Sequence, residues 1–193
     1  MRAALAASEH GDVILASKGD VRQSNTWWAQ GGVAAVMTPE DSFDAHLQDT
    51  LEAGSGLCDE AVVRRVVEAA PQRMQELIAW GMRFDRTSGG DGDDNATPAG
   101  TLAFGREGGH SAHRILHADG DATGKELART LDARVRKNDR IRVFENCFIL
   151  DAITVSGGSG GSPRCVGAIT HHPKYGLQVV WAGAVILAAG GSG

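Results

Sequence analysis

The sequence predicts an α/β fold, with a parallel sheet and a three-stranded antiparallel meander. Two observations carry this. From Asp12 to Phe144, short apolar runs of strand length alternate with stretches of helical periodicity. After Phe144 the helical signal stops, and strands separated by turn residues follow. The 193 residues suffice for one domain with a real core, and 42% apolar with 22% charged residues is ordinary for a soluble globular protein. A net charge of −5 gives no general affinity for nucleic acid or an anionic membrane. Cys58, Cys147 and Cys165 stand far apart without a CxxC, which argues against a disulfide framework or a zinc site and suits a reducing compartment. The opening MRAALAASEHGD imitates a signal peptide, but its apolar run ends at Ser8, Glu9 and His10, too early for one. No run approaches membrane-spanning length, so a cytoplasmic protein is expected.

The elements follow in order. Residues 3 to 10 read as the tail of a helix stopped by Gly11, and Asp12 to Ala16 as a short buried strand. Asp41 is the expected cap of a helix carrying Phe43, Leu47 and Leu51, which Gly54 stops. Asp59 caps the next, whose apolar face is Val62, Val63, Val66 and Val67. Pro71 interrupts, and Met74, Leu77 and Ile78 resume the face until Gly81, giving two helices or one kinked helix. Met82 to Phe84 is extended. Arg86 to Gly100 loses its hydrophobics and reads as a solvated loop, and Thr101 to Phe104 is extended again. Thr123 is the expected cap of a helix with Leu127, Leu131 and Val135 on one face, and Ile141 to Phe144 is a strand. Phe148–Val155, Arg164–Thr170 and Gly176–Trp181 form the meander, its first connection a flexible GGSGGSP. Ala184 to Ala189 reads as a fully apolar strand returning to the parallel sheet and running into Gly190-Gly191.

Two connecting stretches carry the chemistry. In Ser24–Val36 (SNTWWAQGGVAAV), Asn25, Thr26 and Gln30 supply amide and hydroxyl groups, and Gly31 and Gly32 let backbone N–H groups approach a ligand without a Cβ in the way. An isoalloxazine ring needs such donors at its polar edge and flat apolar surface on its faces. The plainer account is a tryptophan pair, Trp27-Trp28, filling core beside a Gly-Gly turn. In Arg106–Ser111 (REGGHS), Glu107 is either half of a surface ion pair with Arg106 or a carboxylate that holds a substrate ammonium. His110, Arg114 and His117 stand at a spacing that could gather positive charge for an anionic ligand, and no zinc signature fits the histidines. Ser17 and Lys18 follow the first strand where an acid would more usually meet a ribose.

Taken together, SKG (Ser17–Gly19), NTWWAQGGVAAV (Asn25–Val36), DTLEAGSGLCDE (Asp49–Glu60), GMRFDR (Gly81–Arg86), REGGHS…RILHADGDATG (Arg106–Gly124) and VILAAGG (Val185–Gly191) resemble the L-aspartate oxidases. These belong to the succinate dehydrogenase/fumarate reductase family of flavoproteins. The resemblance implies a Rossmann-like FAD-binding domain with Lys18, Asn25, Thr26, Trp27, Trp28, Ala29, Gln30, Gly31 and Gly32 on the cofactor, and Glu107 orienting the amino group of L-aspartate. It implies oxidation of L-aspartate to iminoaspartate, reoxidation by oxygen or fumarate, and a product passed to quinolinate synthase for NAD synthesis. Where the covalent members of the family have a flavin-linked histidine this chain has Asn25, which implies non-covalent FAD.

The chain departs from that pattern at its ends. The family opens with a strand and a GxGxxG turn that holds the pyrophosphate, and continues into a capping domain that supplies the arginine proton donor. Residues 1–193 therefore read as a partial FAD-binding domain, expected by itself to bind FAD poorly and to turn over no aspartate. The alternatives are a soluble fumarate reductase or succinate dehydrogenase flavoprotein, which Asn25 and Glu107 oppose, and a non-catalytic remnant.

Overall fold

The computed structural model describes residues 1–87, 100–157 and 161–190. In chain order its elements are α1 (Arg2–Ala7), β1 (Val13–Ala16), a 3-10 turn (Val21–Gln23), β2 (Val33–Ala34), α2 (Phe43–Ala53), α3 (Glu60–Ala79), β3 (Phe104–Gly105), β4 (Ile115–Leu116), α4 (Thr123–Arg136), β5 (Ile141–Phe144), β6 (Phe148–Gly157), β7 (Gly161–His172) and β8 (Gly176–Trp181). They fall into two compact units, one of Met1–Ser24 with Leu131–Gly193, the other of Asn25–Thr130.

In the first unit β1 and β5 pair in parallel, Val13 opposite Ile141 and Ala16 opposite Phe144. Ala4 and Leu5 of α1, Leu131 and Val135 of α4, Ile141 and Cys147 are its buried apolar residues. The Ser8 hydroxyl donates to the Leu5 carbonyl at 2.7 Å and accepts from the Asn138 amide at 2.9 Å. The expected meander is present, with β7 antiparallel between β6 and β8. Irregularities interrupt the β6–β7 register near Ile149, Ile153 and Val155, as bulges that bend long strands do. Within the GGSGGSP connection, Gly157 pairs with Gly161, so Gly161 to Pro163 are already strand. Residues 158–160 lie outside the described residues.

The expected last strand is not formed. Residues 184–189 have no strand partner among the described residues, and Ile186 and Leu187 are exposed. An apolar run becomes strand only where a neighbour offers a ladder of N–H and C=O groups, and among the described residues β1 and β5 pair only with each other.

In the second unit, α2, α3 and a three-stranded antiparallel sheet in the order β2-β4-β3 surround the core. That core contains Ala35, Leu47, Val67, Met74, Leu77, Met82, Phe84, Ile115, Leu116 and Ala118. Helix α3 runs unbroken through Pro71. Its buried line is Val67, Met74 and Leu77, whereas Val62 and Val66 of the expected apolar face are exposed. Burial on both sides of Pro71 holds one helix together although proline lacks the N–H for a bond in the helix interior. Gly81, with φ of 92°, ends it, and the Met82 N–H returns to the Leu77 carbonyl at 2.9 Å.

Two expected caps are corrected. Ser42, not Asp41, caps α2 by accepting from the Ala45 N–H at 3.1 Å. Thr123 lies inside α4 and its hydroxyl accepts from the Ala118 N–H at 3.1 Å, which ties the preceding turn to the helix start. Of the solvated loop expected over Arg86 to Gly100, residues 88–99 lie outside the described residues. Its base closes with the Thr87 N–H on the Thr101 carbonyl at 2.9 Å.

Candidate functional site

Both chemistry-bearing stretches lie in the second unit and connect to its small sheet. The first, Asn25 to Gly32, leads into β2. Two overlapping turns shape it, with the Trp28 N–H on the Asn25 carbonyl and the Ala29 N–H on the Thr26 carbonyl, both at 3.2 Å. The Ala29 carbonyl then accepts from the Gly124 N–H in the first turn of α4 at 3.0 Å. A Cβ at Gly124 would collide with the Thr26 carbonyl oxygen and stand 2.7 Å from that of Ala29, so glycine is required for this close approach. At the other end, a Cβ at Gly32 would run into Ile115 of β4 and stand 2.6 Å from the Leu116 carbonyl oxygen.

The stretch is thus docked by backbone, and its side chains face outward. Asn25, Thr26, Trp28, Ala29, Gln30 and Gly31 are all exposed, Trp28 to 73%. Trp27 is half-buried, beside Asp119, Ala122, Lys125, Glu126 and Arg129. The core-filling account of the tryptophan pair therefore fails for Trp28. Open space surrounds the position a Cβ would take at Gly31. An exposed indole, two exposed carboxamides and unobstructed glycine backbone form the donor set and flat surface that an isoalloxazine requires, so the residues present fit a flavin. Lys18 belongs to the other unit, where it is exposed at the end of β1. Its neighbour Ser17 bonds through its backbone to Phe144 at 2.9 Å and Cys147 at 2.8 Å.

The second stretch, Arg106 to Ser111, leaves β3. The Glu107 carbonyl accepts from the His110 N–H at 3.2 Å, and Gly109 with φ of 81° makes the turn. The Glu107 side chain is half-exposed, and the side chain facing it is not Arg106 but His117, whose Nε2 stands 3.2 Å from Oε1.

The far end of this stretch is clamped. Arg114 is fully buried, and donates through Nε and Nη2 to the two carboxylate oxygens of Asp41, at 2.8 and 2.7 Å. Its Nη1 donates to Oδ2 of Asp49, the atom that also accepts from the N–H and hydroxyl of Ser111, both at 2.8 Å. Nη1 also faces Nδ1 of His110 at 3.3 Å. Arginine has no acceptor, so a hydrogen bond between them uses Nδ1 as the acceptor. Burial works to raise the Asp49 carboxyl, but the two Ser111 bonds and the Arg114 guanidinium outweigh it and bring it down to about 2. Asp41 is lowered likewise, against burial, by Arg114 and the Ser42 N–H. His46 is lowered by burial and by the positive charge of Arg114 beside it.

This overturns the reading of Arg114 as a collector of positive charge for an anionic ligand. Its charge is neutralised by two aspartates and closed to solvent. Asp41 was missed because an acid just before a helix is usually its cap, and the neighbouring serine performs that role here. Asp85 was missed as well. Its carboxylate accepts from the N–H groups of Asp119 at 2.8 Å and Gly120 at 3.2 Å, holding a turn in which both residues have positive φ, just before α4. Among the described residues no group of three or more His, Cys, Asp or Glu is arranged to hold a metal ion, and no helix is long and apolar enough to cross a membrane.

Known proteins give this geometry its context. The chain is 42% identical over 193 residues to L-aspartate oxidase 2-a, chloroplastic, of Nicotiana tabacum, covering all of this chain and 28% of that protein. It is 40% identical over 190 residues to the L-aspartate oxidase of Vibrio cholerae, covering 98% of this chain and 34% of the relative. The chain thus spans about a third of the length of these relatives. Among solved structures it is similar to Mycobacterium smegmatis Sdh1 in complex with UQ1, with a TM-score of 0.81 and 31% identity over 98% of this chain and 32% of that one. It is also similar to the E. coli quinol fumarate reductase subunit FrdA, with a TM-score of 0.74 and 30% identity over 88% of this chain and 26% of that one. A family model described as an FAD binding domain matches residues 1–193, so the chain belongs to the FAD binding domain family, an oxidoreductase group, and FAD is its cofactor.

Proposed function

We propose that this chain forms the flavin-facing part of an L-aspartate oxidase. Such an enzyme oxidises L-aspartate to iminoaspartate with oxygen or fumarate as acceptor, and supplies quinolinate synthase on the way to NAD. The observation that carries the reading is Glu107, a half-exposed carboxylate whose loop is clamped at its far end by the buried Arg114 cluster. A dicarboxylate oxidoreductase without an amine substrate has no need of that acid, whereas an α-ammonium is well held by one. When bound, FAD supplies the hydride acceptor for the substrate Cα. The protein's part is to seat the ring on Asn25, Thr26, Trp27, Trp28, Ala29, Gln30, Gly31 and Gly32, and to orient the amine on Glu107. A carboxamide at Asn25 forms no covalent bond to flavin, which supports non-covalent FAD. The unpaired Cys58, Cys147 and Cys165 support a cytoplasmic location.

The similarity to Sdh1 and FrdA favours, as second reading, a soluble fumarate reductase or succinate dehydrogenase flavoprotein. One experiment separates them. The full-length enzyme to which this reading assigns the chain is titrated with FAD and assayed for peroxide with L-aspartate and for dye reduction with succinate, alongside Glu107→Gln. Aspartate-dependent peroxide that falls about tenfold or more in Glu107→Gln supports the oxidase, from the loss of a charged hydrogen bond. Succinate oxidation indifferent to Glu107 would establish the second reading instead.

A further inference from the structure

We propose that His117 is the positioning residue for Glu107, and through it the determinant of selectivity for a substrate carrying an ammonium group. The inference rests on the oxidase reading above. It starts from a difference in freedom between the two side chains. Glu107 is long, half-exposed and mounted on a Gly-Gly loop, so by itself its carboxylate samples several rotamers. His117 is three-quarters buried one residue beyond β4, and glycines wall its ring. A Cβ at Gly32 would stand 3.1 Å from its Cε1, and a Cβ at Gly105 would stand 3.3 Å from its Nε2. The imidazole therefore occupies space that any other residue at these two positions would encroach on.

From this fixed seat Nε2 meets Oε1 of Glu107 at 3.2 Å. Among the described residues no other side chain is paired with that carboxylate. Holding one oxygen leaves Oε2 as the acceptor for a ligand, in one orientation. The same ring closes the space beside Gly32, the last residue of the stretch that fits the flavin, and beside Gly105, the last residue before the Glu107 loop. His117 thereby sets the carboxylate relative to the flavin-facing loop, which is the relation that an oriented amine requires.

The test compares the full-length enzyme to which the oxidase reading assigns the chain with its His117→Leu variant, which removes the ring nitrogens, and its His117→Gln variant, whose amide nitrogen reaches about as far as Nε2. Calorimetry on each FAD-loaded protein measures the binding of L-aspartate and of succinate, which has the same two carboxylates and no ammonium. KM and kcat for aspartate are measured in parallel. His117→Leu is expected to weaken aspartate binding about tenfold, as loss of a charge-assisted contact does, with succinate binding unchanged and KM rising more than kcat falls. His117→Gln is expected to recover most of that loss. Unchanged aspartate binding in His117→Leu, equal weakening of both ligands, or no recovery in His117→Gln would each overturn the proposal. An unsubstituted protein that binds succinate but not aspartate would overturn the oxidase reading itself, and the role of His117 with it.

Discussion

The two loops of the second unit are immobilised by opposite means. Asn25–Gly32 is held through its backbone, against Gly124 of α4 at one end and β4 at the other, so its side chains are free to face a flat ligand. Arg106–Ser111 is held by charge, through Ser111, Asp49 and the buried Arg114, which leaves the single carboxylate at its near end available. Backbone docking is sensitive to volume and indifferent to pH. An ionic clamp is sensitive to both charge and pH.

Three experiments break this comparison at different points. The largest effect belongs to Arg114→Met. It leaves Asp41, whose side chain is 1% exposed, and Asp49 buried without a cation, and is expected to cost about 3–5 kcal/mol of folding stability, measured by urea unfolding. Gly124→Ala comes next. Its Cβ meets backbone carbonyls that cannot move aside as a side chain can, so a loss of about 1–3 kcal/mol is expected, together with weaker FAD binding in a flavin titration. The third is acid. Asp49 falls from an ordinary 3.8 to about 2, so its contribution, on the order of 2 kcal/mol, is complete above pH 4 and disappears as pH falls through about 2. His46 acts earlier, because its lowered value means that protons bind the unfolded chain preferentially once pH drops below 6.5. Unfolding curves taken from pH 7 to pH 2 should show both phases, and Asp49→Asn should diminish the lower one, the remainder coming from Asp41, which Arg114 also holds below its ordinary value.

How much of this was legible in the sequence differs between the same two loops. The helices α2, α3 and α4 and the strands β1, β5 and β6 to β8 have the length and periodicity that pattern reading needs. β2, β3 and β4 have two residues each, too few for any period to register, yet they join both loops. The exposed loop stood out in composition, since tryptophans, carboxamides and paired glycines seldom crowd into one connection, although the same composition also suits a tryptophan pair filling core. The clamp was not, because Asp41, Asp49 and Arg114 are ordinary surface residues until tertiary packing closes over them. Likewise, Ala184 to Ala189 has the composition of a buried strand, but pairing is decided by a neighbour that local sequence does not describe.

The exposure of Trp28 has a practical consequence. An indole standing in water emits at longer wavelength than one covered by protein, and a yellow ring laid against it absorbs that emission. With Trp27 half-buried beside it, the loop is its own optical reporter. Arrival of the cofactor should dim and blue-shift the protein's intrinsic fluorescence without any added label, and replacing Trp28 with phenylalanine should remove most of that signal.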